Sequence, residues 1–82
     1  MVRAARTGRV AVATRHLAGW GNTVLLDHGD GYVSVYASLG QLLVNPGTSV
    51  RQGNPVGRLG STPLHFEIRY GLKPYDPITL LP

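Results

Sequence analysis

The sequence predicts an all-β domain, a small antiparallel β-sandwich or barrel-like fold, on three observations. Short runs rich in Val, Ala, Leu and Tyr are separated by glycine clusters. Eleven glycines and six prolines in 82 residues supply many tight corners. No segment carries a helical period of useful length.

Each element follows from its local pattern. "GRVAVAT" and "NTVLLD" read as the first strands. "DHGDG", Asp27 to Gly31, reads as a hairpin loop, because its glycines reach positive φ and its aspartates accept local backbone hydrogen bonds. From Tyr32 to Leu39 the chain alternates strictly. Val33, Val35, Ala37 and Leu39 are expected on one face, with Tyr32, Ser34, Tyr36 and Ser38 on the other. In "VNPGTSVRQGNPVGRLGS" the turns "NPG" and "QGNP" bracket short strand pieces. A further strand from Leu64 to Tyr70 sets Leu64, Phe66, Ile68 and Tyr70 against His65, Glu67 and Arg69. The chain then turns through "GLKPYDP" into a short apolar tail, "ITLL".

Length and charge bound the function. Eighty-two residues make one small domain with a thin core. Seven arginines and one lysine against Asp27, Asp30, Glu67 and Asp76 give a net charge of +4. That balance suits an acidic protein, an anionic cell-wall polymer or a membrane surface. The arginines are scattered and no nucleic-acid-binding motif accompanies them, so nucleic acid is not the expected partner. Apolar runs are too short for a transmembrane segment, and the absence of cysteine removes disulfides and thiolate metal sites. "MVRAARTGRV" lacks the apolar run of a signal peptide, so Met1 is expected to open a fragment or the C-terminal part of a longer chain.

Four pieces taken in order, "VRAARTGRV", "GWGNTVLLDHGDGYVSVYASL", "VNPGTSVRQGNPVGRLGS" and "LHFEIRYGLKPYDP", resemble the LytM-type (lysostaphin-like) zinc metallopeptidase domain. The resemblance spans nearly the whole chain. It implies a β-rich fold with a groove floored by antiparallel strands. In active members it implies a zinc held by an upstream histidine, an upstream aspartate and the second histidine of an H-x-H strand motif. A further histidine in a Y-x-H-L motif and the first H-x-H histidine assist the chemistry. A catalytic zinc needs about three protein ligands and an open position.

Here "YASL" puts Ser38 at the Y-x-H-L histidine, and "PLH" puts Pro63 at the first H-x-H position, leaving only His65. The matching upstream positions fall before Met1. Neither serine nor proline supplies an imidazole acid or base. No enzyme activity, catalytic residue, metal or cofactor is therefore expected. The pattern of losses resembles the degenerate LytM domains of the EnvC-like and NlpD-like murein hydrolase activators. That resemblance implies a regulatory domain of the periplasm or cell envelope. Through its vacated groove it would bind and activate a cell-wall N-acetylmuramoyl-L-alanine amidase as peptidoglycan is split during cell division. The alternative is a non-catalytic module tethering a larger protein to peptidoglycan.

The expected partner-binding groove comprises Tyr32, Tyr36, Ser38, His65, Glu67 and Arg69, provided the two strands that carry them are neighbours. Tyrosine offers contact area at low entropic cost, and arginine offers bidentate recognition of carboxylates. Glu67 and Arg69 are spaced either to pair with each other or to meet a partner. His28 in "DHGDG" is expected to be structural, His16 to lie in an exposed loop, and Trp20 either to anchor its loop or to edge the groove.

Overall fold

The computed structural model describes residues 1–70, so the turn expected around Lys73 and the "ITLL" tail lie outside the described residues. Among the described residues every regular element is a strand. These are β1 (Val2–Arg3), β2 (Gly8–Leu17), β3 (Gly21–Gly29), β4 (Tyr32–Leu42), β5 (Ser49–Val50), β6 (Pro55–Leu59) and β7 (His65–Tyr70). They form one curled antiparallel sheet in the order β1-β6-β4-β3-β2-β5, with β7 pairing β4 off that path. The eleven residues of β4 serve two partners in succession. Tyr32 to Ala37 pair with β7, and Leu39 to Leu42 pair with β6. At the changeover the chains pass so closely that a Cβ on Gly40 would lie 2.7 Å from the Cα of Gly60.

The turns are where the glycines place them, but the hairpin between β3 and β4 is tighter than expected. Asp27 and His28 belong to β3, and the reversal is made at Gly29, Asp30 and Gly31, all at positive φ. Asp27 caps it by accepting the Gly29 N–H at 2.9 Å.

The central strands are buried on both faces. On one face Val2, Ala4, Val10, Val24, Leu26, Tyr36, Leu39, Val50 and Val56 form the larger core cluster. On the other, Leu25, Val33 and Val35 form a smaller one, flanked by Val12, Leu17 and Trp20. Burial on both sides corrects the assignment of β4's faces. The side carrying Ser34 and Tyr36 is the main core side, with Ser34 0% and Tyr36 1% exposed.

Leu39 is a second correction, because it joins Tyr36 in the larger cluster. Tyr36 lies opposite Val24 and Leu39 opposite Asn22, so β4 accommodates one extra residue between them. The bulge includes Ser38, at φ 61°, whose N–H donates to the Trp20 carbonyl at 2.8 Å.

The buried hydroxyls are fully paired. The Tyr36 oxygen accepts the Ala5 N–H at 2.9 Å and lies 3.0 Å from Ser34 Oγ. Ser34 Oγ lies 2.7 Å from His28 Nε2, and His28 Nδ1 lies 2.9 Å from the Thr7 carbonyl. Because a carbonyl only accepts, His28 Nδ1 donates to Thr7, while Ser34 Oγ bridges His28 Nε2 and the Tyr36 oxygen, so every member is satisfied. His28 is thus structural, as expected, although its role is interior bonding and not loop chemistry. Replacing Tyr36→Phe should leave the Ala5 N–H without its acceptor and lower stability by about 1–3 kcal/mol. Urea unfolding at unchanged m-value checks this, and an unshifted midpoint would show the chain of bonds to be energetically idle.

Candidate functional site

The register between β4 and β7 decides which expected site residues meet. Val33 lies opposite Arg69, Val35 opposite Glu67 and Ala37 opposite His65, whereas Tyr32 faces Tyr70, Ser34 faces Ile68 and Tyr36 faces Phe66. Directly opposed residues of an antiparallel pair share a face. The structure therefore gathers His65, Glu67 and Arg69 above Val33, Val35 and Ala37. It sends Tyr32 and Tyr36 to the opposite face. The two strands are neighbours, as the expectation required, but their polar rows lie on opposite sides of the sheet. Tyr36 is a core residue, and Tyr32 packs on Tyr70 with ring centroids 4.5 Å apart and Arg6 over its ring at 5.6 Å.

Ser38 sits apart from both rows, at the bulge, beside a shallow pocket bordered by His16, Gly21, Asn22 and Thr62. His16 is exposed, as expected, but it lies near the end of β2 and not in a loop, with its N–H on Asn22 Oδ1 at 3.2 Å.

Glu67 organises the row on β7. Its Oε2 accepts from His65 Nε2 at 2.8 Å and from Arg69 Nη2 at 3.1 Å, while Oε1 accepts from Arg69 Nη2 at 3.1 Å and Nε at 3.3 Å. Of the alternatives open for Glu67 and Arg69, the structure contains the mutual pair. The carboxylate accepts only, so His65 Nε2 is the donor. The sequence left Trp20 undecided. Its indole stands edge-on to the His65 ring, with centroids 4.4 Å apart and planes at 85°. The loop that delivers it closes with the Trp20 N–H on the Leu17 carbonyl at 2.8 Å and holds Gly19 and Gly21 at positive φ. No period announces this contact, because it joins a loop tip to a strand forty-five residues later.

These residues do not fit the catalytic zinc that the resemblance implies for active members. Ser38 and Pro63 offer no imidazole. Both oxygens of Glu67 are committed to His65 and Arg69. Among the described residues no group of three or more His, Cys, Asp or Glu converges.

The hydrogen bond from His65 holds the Glu67 carboxyl below the usual carboxylate range. Partial burial opposes this, and the Arg69 guanidinium reinforces it. A carboxyl lowered on folding stabilises the fold above its unfolded-state value of 4.5, and that contribution is lost as pH falls through the folded value. The Glu67 resonance should titrate below 4.5 by NMR. His65→Ala should move that midpoint upward, and a midpoint unmoved by His65→Ala would remove His65 as the principal cause.

Comparison with known proteins follows the same line. The pattern of peptidase family M23 matches residues 1–77. The Escherichia coli lipoprotein YgeR is 37% identical over 99% of this chain and 34% of its own length. The Escherichia coli murein hydrolase activator NlpD is 40% identical over 92% of this chain and 21% of its own length. The chain thus spans about a third or less of these relatives. Among solved structures, the catalytic domain of the antimicrobial peptidase lysostaphin from Staphylococcus simulans superposes with a TM-score of 0.79 at 28% identity, over 98% of this chain and 68% of that one. With its strands, their order along the chain and the histidine of its last described strand in place, the chain belongs to peptidase family M23.

Proposed function

We propose that this domain is a non-catalytic regulator of peptidoglycan hydrolysis in the cell envelope. It binds a cell-wall N-acetylmuramoyl-L-alanine amidase through the face carrying His65, Glu67, Arg69 and Trp20, and activates it. One observation carries the reading. The face that would hold a peptidase centre retains a single imidazole, locked to a carboxylate whose oxygens are already taken. Its likeness to a protein named as a murein hydrolase activator supports the same direction.

The residues on this face suit protein recognition. Trp20 packs on the cluster that contains Val33 and Val35, with Arg69 and Glu67 directly opposite those two valines across the strand pair, an arrangement of aromatic and guanidinium groups common at binding hot spots. Arg69 is only 22% exposed at its side chain, so a partner carboxylate that reaches it is partly desolvated and shares it with Glu67.

The test is amidase-catalysed release of dye from labelled peptidoglycan, with and without the domain, beside a domain-only control. Stimulation with a silent control is the expected result. Arg69→Glu places two carboxylates side by side on this face and should raise the concentration needed for half-maximal stimulation by about tenfold or more, equivalent to about 1.4 kcal/mol. Circular dichroism verifies the fold of the variant. Stimulation unchanged by Arg69→Glu would exclude this face. Absence of stimulation together with salt-sensitive retention on sacculi would replace the reading with a peptidoglycan tether, and dye release by the domain alone would make it an enzyme.

A further inference from the structure

We propose that a cleft beside β2, β3 and β5 is a binding site for an acidic amino acid, a small ligand with two carboxylates and one ammonium. Arg9 on β2 and Asp27 on β3 are directly opposed across the strand pair. Opposite charges in that position commonly attract each other. Here each side chain turns to a backbone partner instead. Arg9 Nε donates to the Gly47 carbonyl at 3.3 Å, and Asp27 Oδ1 accepts the Gly29 N–H at 2.9 Å. Among the described residues every ion pair runs to Glu67, so Arg9 and Asp27 stay apart. The Nη groups of Arg9 and Oδ2 of Asp27 carry no hydrogen bond among the described residues, which leaves donors and an acceptor for a ligand.

The separated charges border a real space. Thr7, Gly8, Arg9, Asp27, Arg51 and Asn54 line a cleft of about 550 Å³, a volume typical of small-ligand sites. Its walls are fixed by local hydrogen bonds. The Gln52 N–H donates to Thr7 Oγ1 at 3.3 Å, the Arg51 N–H to Asn54 Oδ1 at 2.8 Å, and the Asn54 N–H to the Arg51 carbonyl at 2.9 Å. Walls held in place before binding lower the ordering cost of taking a ligand. Gly8 is required where β2 meets β3 at this cleft. A Cβ there would lie 2.6 Å from the Asp27 carbonyl oxygen and 2.8 Å from His28 Nδ1.

The charge count selects the ligand. Two guanidiniums, Arg9 and Arg51, and one carboxylate, Asp27, border the same cleft. A simple anion is repelled by Asp27, and a simple cation by the two arginines. Two carboxylates and one ammonium satisfy all three groups, and each guanidinium can take a carboxylate through paired N–H donors. Glutamate and aspartate carry this pattern. The cleft is distinct from the β7 row. Asp27 lies opposite Val33, and Val33 opposite Arg69, so the two sites share a face about 10 Å apart, two strand spacings. Both arginines are exposed, so binding is weak, in the millimolar range, and salt-sensitive.

Titration of the amide NMR spectrum of the 82-residue chain with glutamate at low salt, into the tens of millimolar, tests this. The expected result is saturable shifts at Gly8, Arg9, Asp27 and Arg51, with the amides from His65 to Tyr70 unmoved. Glutarate, which lacks the ammonium, and inorganic phosphate should each bind about tenfold more weakly than glutamate. Asp27→Asn keeps an oxygen for the Gly29 N–H. It should weaken glutamate about tenfold without weakening glutarate, whereas Arg51→Gln should weaken both. The dispersion of each variant's spectrum verifies its fold. Absence of saturable shifts with glutamate would overturn the proposal. So would glutarate or phosphate binding as tightly as glutamate, or an Asp27→Asn variant that binds glutamate as well as wild type.

Discussion

A line of four hydrogen bonds runs from the Ala5 N–H through Tyr36, Ser34 and His28 to the Thr7 carbonyl, from the buried core out to the exposed end at Thr7, and sets which way the longest strand faces. Every hydroxyl and ring nitrogen in it has a partner, and removing one member strands another in the interior. Tyr36 and Ser34 must point toward the N-terminal segment, so Val33, Val35 and Ala37 must point the other way. The β4–β7 register then lifts His65, Glu67 and Arg69 onto that second face. A slip of one residue would send Tyr36 and Ser34 to the opposite side and bring β-branched carbons to His28. The composition of the candidate site is therefore determined by polar groups that lie outside it.

Much of the fold was legible in the sequence because period-two alternation and glycine turns are local signals. The strands, the hairpin at Gly29–Gly31 and the separation of Phe66, Ile68 and Tyr70 from His65, Glu67 and Arg69 all follow from them. The inward face of β4 was not legible, because a strand buried on both sides gives no solvent face to mark direction. Alternation separates the two rows and suggests the tyrosine row for the binding surface, yet Tyr36 belongs to the larger core cluster. Leu39 escaped for a different reason. A bulge adds one residue to the count, and Ser38 carries no glycine signal for the positive φ it adopts. The placement of Trp20 on His65 rests on tertiary packing alone.

The charge of the β7 row is smaller than its residue types suggest. Glu67 accepts from both neighbours, so its carboxylate and the Arg69 guanidinium largely cancel, while Arg3, Arg6, Arg9, Arg15, Arg51 and Arg58 stand exposed elsewhere. Long-range attraction of an acidic partner therefore arises from the dispersed arginines and is screened by salt, whereas specificity on this face arises from shape and short hydrogen bonds. His65 Nδ1 is not used by Glu67, which takes Nε2, and a partner element that matches this face brings a polar group to that nitrogen and apolar surface to Trp20.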